Sequence, residues 1–246
     1  MEINEIRPFK DDNNNIINFN GVSRPNIKVI FIGKNNTLNI DRNTKIKGVT
    51  FRFDCDNGIC NIGDNYFTGM VRIGQDCHVT IGNGVSCTGG VYISTAEGVS
   101  VVIGDDCMIA TGVEIRADDA HPFFDVISGK RINESKNISI GNHVWIGAKA
   151  TILSGGNIEN GSILGYGSIL KDNIPNNCVA VGVPAKIIKK NIAWERPHLN
   201  LHKPYYKMDS SCVEKSIYWN KTIDNDVDIV VKKINFFERI KNLLHL

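Results

Sequence analysis

Residues 140–175 read IGNHVW IGAKAT ILSGGN IENGSI LGYGSI LKDNIP. An aliphatic side chain opens every hexad: Ile140, Ile146, Ile152, Ile158, Leu164 and Leu170. Gly141, Gly147 and Gly165 follow three of them, and the fifth place holds Val144, Ala150, Gly156, Ser162, Ser168 and Ile174. A period of six matches neither an amphipathic helix nor a half-buried strand. It matches a coil of three short strands, each giving one face of a triangular prism. The opening aliphatic points inward, the small fifth residue sits near the turn, and glycine relieves backbone strain there. Three hexads close a coil of eighteen residues, and the run keeps one register to Pro175. One coil cannot bury its own apolar row, so coils stack at the strand spacing of about 4.8 Å.

Working outward, IGDDCM IATGVE IRADDA runs from Ile103, IGNGVS begins at Ile81, and looser copies start at Ile62-Gly63 and Ile73-Gly74. The expected fold is all-β: a parallel β-helix over residues 27–188, an N-terminal cap over 1–26 and a C-terminal extension over 189–246. Residues 226–246 have the spacing of an amphipathic helix, with Val227, Val230, Val231, Ile234, Phe237 and Leu244 near one face. Such a helix packs on the prism or a neighbour, or lies on a membrane surface as a peripheral contact.

The repeat breaks once. Ile103 to Ala120 completes a coil, and His121 stands where the next aliphatic belongs. Residues 121–139 form an excursion with no hexad pattern, and long loops on rigid scaffolds carry function. Asp118 or Asp119 is placed to orient the His121 imidazole as a base. His143, in a fourth place of its hexad, is expected to point outward to the surface, and His78, His198, His202 and His245 have no supporting constellation. Trp145 also faces outward, covered by the excursion or a neighbouring subunit, since an exposed indole marks a contact.

Bulk properties narrow the function. The formal charge of +2 gives no footprint for nucleic acid. Seven Cys occur without a C-x-x-C pair and no His/Cys/Asp ligand cluster is visible, so no metal is expected and the thiols read as reduced core residues of a cytoplasmic protein. Residues 1–20 lack the apolar core of a signal peptide, and no run of about 18 apolar residues occurs to span a membrane.

The segment ending SILKDNIPNNCVAVGVPAKII resembles the C-terminal signature of hexapeptide-repeat acetyltransferases, together with His121-Pro122 before the excursion and Val144-Trp145-Ile146-Gly147 after it. As a whole the chain is similar to the polysialic acid O-acetyltransferase type. The resemblance implies a left-handed coil, a homotrimer, and acetyl-CoA in clefts between adjacent prisms. It places His121 as catalytic base and Trp145 beside the donor–acceptor site. It implies that Gly147, Ala148, Gly165 and Tyr166 contact the pantetheine arm, and that Lys171 and Lys186 hold the CoA phosphates. Tyr166 stands where the family often has Ala, and Lys171 lies one place before the usual Lys. The implied acceptor is a sialic-acid-containing capsular polysaccharide, met in the cytoplasm or at the inner face of the membrane. Rival readings are a small acceptor (sugar, serine or antibiotic) and a non-catalytic β-helix binding module. In the expected mechanism His121 deprotonates the acceptor hydroxyl, which attacks the thioester directly, and the N–H of Gly147 or Ala148 stabilises the oxyanion.

Overall fold

The computed structural model describes residues 1–22, 24–199 and 207–223. The fold is the left-handed parallel β-helix. One coil shows the logic. Strands Ile138–Ile140, Trp145–Ile146 and Thr151–Leu153 lie on three faces, and Ile140, Ile146 and Ile152 are all buried. Each pairs in parallel with its counterparts one coil before and one coil after: Ile140 with Ile103 and Ile158, Ile146 with Ile109 and Leu164, Ile152 with Ile115 and Leu170. The apolar rows thus become three columns of one core.

The first face carries strands Ser86–Cys87, Met108–Ile109, Trp145–Ile146, Ile163–Leu164 and Val179–Gly182. The second carries Val91–Ser94, Glu114–Arg116, Thr151–Leu153 and Ile169–Leu170. These two faces are one sheet because Tyr66–Ile73 turns the corner: its start pairs with Ser86 and its later half with Val91–Ser94. The third face runs separately from Ile16–Phe19 to Asn173–Ile174. Parallel stacking therefore begins at Ile16, inside the 1–26 segment, where Glu2–Ile6 also pairs antiparallel with Arg24–Phe31.

The prism is wider at its N-terminal end. Phe19 pairs with Ile40 and Ile40 with Ile62, so these coils are longer than eighteen residues, and Phe31, Phe51, Phe53 and Phe67 fill the added cross-section. The other end corrects the reading of the sixth hexad. Ile158 pairs with Ile174 and Leu164 with Ala180, sixteen residues on rather than eighteen. Only Lys171, Asp172 and Asn173 separate Leu170 from Ile174, so the corner is two residues short and Ile174 fills an opening-aliphatic site. Strand Ala185–Lys189 then pairs antiparallel with Val179–Gly182. Residues 192–199 and 207–223 follow without a strand; the expected helix over 226–246 lies outside the described residues.

Candidate active site

Each edge of the prism carries a different chemistry. The edge between the third and first faces is polar and paired. The third hexad place there is Asp64, Asn83, Asp105, Asn142 or Asn160. The backbone N–H of Asp64, Asn83, Asp105 and Asn142 each donates to the side-chain oxygen of the next coil, at 2.9, 2.7, 2.7 and 2.7 Å. At the edge between the first and second faces the same place is Ala148, followed a coil later by Tyr166. Neither Tyr166 nor the glycine after it, Gly182, offers a short acceptor to the coil before. The N–H groups of Ala148 and Tyr166 accordingly have no partner among the described residues.

This sorts the four residues expected on the donor arm. Gly147 donates its N–H to the Leu164 carbonyl at 2.7 Å and Gly165 to that of Ala180 at 2.8 Å, so strand pairing already engages both. Gly147 cannot serve as the oxyanion donor; Ala148 can. Gly147 is glycine for space, since a Cβ there would lie 2.6 Å from the Tyr166 nitrogen. Tyr166 is exposed, with the Lys149 ammonium 5.9 Å from its ring centroid.

The edge between the second and third faces carries the excursion and His121. The imidazole is exposed and makes no hydrogen bond among the described residues. Neither neighbouring carboxylate touches it. Asp118 is buried, accepting from the Ser94 hydroxyl and, at 3.1 Å, from the Ala120 N–H. Asp119 instead fixes the backbone: its carbonyl accepts the His121 N–H at 2.7 Å, and its Oδ2 accepts Asn133 Nδ2 at 3.1 Å. Asn133 completes the clamp, donating to the His121 carbonyl at 2.8 Å and accepting the Phe123 N–H at 2.9 Å. Arg131 makes two bonds to Glu97, at 2.6 and 3.1 Å, tying the excursion to the preceding corner. Sequence reasoning missed Asn133, because nothing in HPFFDVISGKRINESKN marks one asparagine as buried.

Trp145 lies on the first face, 38% exposed. Among the described residues its aromatic partner is Trp194 of the C-terminal extension rather than the excursion, with ring centroids 6.0 Å apart and the rings tilted by 50°. His143 is a correction. It is buried rather than at the surface, because Trp194 and Tyr218 of the extension stack on it at 4.0 and 4.7 Å. Its Nδ1 pairs with Asp106 Oδ2 at 2.6 Å and its Nε2 donates to the Trp194 carbonyl at 2.9 Å. Lys171 and Lys186 are exposed at the C-terminal end, Lys186 Nζ lying 3.8 Å from Asp172. Among the described residues no group of three or more His, Cys, Asp or Glu is arranged to hold a metal ion.

A single prism does not assemble these groups. His121 and Lys171 share one edge, Ala148 and Tyr166 occupy another, and Trp145 lies on the first face beside the third.

No family model matches the chain. It is 39% identical over 187 residues to the polysialic acid O-acetyltransferase of Neisseria meningitidis, covering 74% of this chain and 86% of that protein. It is 42% identical over 118 residues to the polysialic acid O-acetyltransferase of Escherichia coli O1:K1, covering 48% of this chain and only 38% of that longer protein. Among solved structures, the polySia-specific acetyltransferase NeuO superposes with a TM-score of 0.69 at 36% identity, over 74% of this chain and 89% of that one.

Proposed function

This chain belongs to the hexapeptide-repeat acetyltransferases, and from that premise we propose that it moves an acetyl group from acetyl-CoA to a sialic acid hydroxyl of a bacterial capsular polysaccharide. The observation that carries the reading is the state of His121: an exposed imidazole with no competing hydrogen bond among the described residues, on a backbone fixed by Asp119 and Asn133. A hydroxyl is a poor nucleophile until a base takes its proton, and an imidazole suits that task near neutral pH. His121 accepts the proton as the hydroxyl oxygen bonds to the thioester carbonyl carbon. The Ala148 N–H donates a hydrogen bond to the developing oxyanion. As the C–S bond breaks, His121 returns the proton to the departing thiolate. Trp145 lines the meeting point of donor and acceptor. The N–H of Tyr166 suits the polar pantetheine arm, and Lys171 and Lys186 suit the CoA phosphates.

The distribution of these groups over separate edges supports a homotrimer in which neighbouring prisms complete each site. Phe123, Phe124, Val126, Ile127 and Ile132 of the excursion are all more than half exposed, the surface a neighbour would cover. The cytoplasm is the proposed site of action, with a peripheral membrane or capsule-assembly contact assigned to the C-terminal extension. The test is thiol release from acetyl-CoA with polysialic acid as acceptor. His121→Ala should lower the rate by about 100- to 10,000-fold; a variant that turns over normally removes His121 as the base.

A further inference from the structure

Among the described residues the Trp145 indole N–H makes no hydrogen bond. Its strand neighbours on the first face are Met108 and Ile163, which offer no side-chain acceptor for the indole N–H. The aromatic contact it has among the described residues is Trp194, from the extension that follows the last strand.

Trp194, by contrast, is held from several directions. It is 7% exposed. Its indole Nε1 donates to the His143 carbonyl at 3.0 Å while its own carbonyl accepts from His143 Nε2 at 2.9 Å, a closed reciprocal pair. Asp106 grips both sides of this pair, bonding His143 Nδ1 at 2.6 Å and Arg196 Nε at 2.8 Å. Arg196 also donates to the Ser86 hydroxyl and to the carbonyls of Gly84, Asp106 and Cys107, at 2.8 to 3.1 Å. Tyr218 stacks on His143 and its carbonyl accepts from Asn177 at 2.6 Å. These anchors fall on the coil that carries Trp145 and on coils up to two places before and after it. An anchored indole seated against a half-exposed one limits the rotamers of the second, because packed side chains settle in a few staggered wells.

We propose that Trp194 is a positioning residue for the acetyl transfer, setting the ring of Trp145 through the His143–Asp106–Arg196 anchor, so that the C-terminal extension is part of the catalytic apparatus. The proposal rests on the reading that Trp145 lines the donor–acceptor site. A side chain displaced by about 1 Å costs a reaction of this kind on the order of 100-fold in rate.

The test compares Trp145→Phe, Trp194→Phe and Trp194→Leu in the full chain, with polysialic acid and acetyl-CoA as substrates. Two indoles at this separation give an exciton couplet in far-ultraviolet circular dichroism, which every one of the three variants should lose. Trp194→Leu should lower kcat by about 10- to 100-fold, with Trp194→Phe, which keeps the flat ring, recovering most of the loss. If Trp194→Leu loses the couplet yet turns over like the wild type while Trp145→Phe does not, Trp194 is only an anchor and the proposal is wrong. If Trp145→Phe itself turns over like the wild type, the underlying reading of Trp145 falls and the proposal with it. Should Trp194→Leu fail to fold, Trp194→Met, which also removes the flat ring, decides in its place: a kcat lowered with an unchanged melting temperature supports positioning, and an unchanged kcat overturns it.

Discussion

Replacing Asn133 with alanine isolates what holds His121 in place. The carboxamide is buried, with four partners: Asp119 Oδ2 at 3.1 Å, the His121 carbonyl at 2.8 Å, the Phe123 N–H at 2.9 Å and Arg131 Nε at 3.3 Å. A net intramolecular hydrogen bond contributes about 1 kcal/mol, so the four together give an upper bound of about 4 kcal/mol. His121 and Phe123 are exposed, and water replaces part of what they lose, leaving about 2–3 kcal/mol. That loss falls on the excursion alone, because no residue between Ala117 and Ile138 belongs to the hydrophobic core. The expected result is a kcat about 100-fold lower and faster hydrogen exchange over residues 119–133. The thermal midpoint should move by less than about 2 °C, what a global change under 1 kcal/mol gives a domain of this size. Thiol release from acetyl-CoA, exchange mass spectrometry and calorimetry read the three. A wild-type kcat alongside faster exchange would refute the clamp as the source of His121's placement; a large fall in the midpoint would refute its local character.

Three further outcomes follow from the same geometry. The Gly147–Ala150 turn closes with an Ala150 N–H bond to the Gly147 carbonyl and has Lys149 at φ +58°, so Ala148 stands where proline fits. Ala148→Pro should therefore delete one N–H without unfolding the coil and lower kcat by about 100- to 1,000-fold, and an unchanged kcat would exclude this N–H from the oxyanion site. The hydrogen bond from Arg131 holds the Glu97 carboxyl down from 4.5 to about 2. A depressed acid stabilises the folded clamp above its unfolded value and loses that contribution as pH falls toward the folded one. The excursion should then turn protease-sensitive on acidification between about 4.5 and about 2, while Glu97→Gln should be sensitive already at neutral pH; equal resistance in both proteins would remove the clamp. Burial pushes the Cys87 and Cys107 thiols up to about 12 and raises Cys60 in the same direction, whereas Cys212 is exposed. A thiol reagent at neutral pH should label Cys212 in the native protein and reach the other three only on unfolding, as peptide mapping would read.

The hexad alone determined the coil, because an aliphatic every six residues can be buried on one side only if the chain turns a prism corner between them. It also located the excursion, since His121 occupies a place the core cannot use. Even the paired edge was legible, in the recurring Asp or Asn two places after Ile62, Ile81, Ile103, Ile140 and Ile158, although it was not read as a ladder. Tertiary structure decided the rest, because it depends on contacts between residues far apart in the chain. His143 looked outward by its place in the hexad, and only the return of Trp194 and Tyr218, 51 and 75 positions on, buries it. The two-residue shortening after Leu170 is fixed by the strand pairing, where Ile174 rather than Asn176 stacks on Ile158. The choice of Ala148 over Gly147 follows from which N–H the next strand consumes, and Asn133 matters because the excursion folds back on itself. A repeat states the rule that each coil obeys; which exceptions become a site is settled by what packs over the edges.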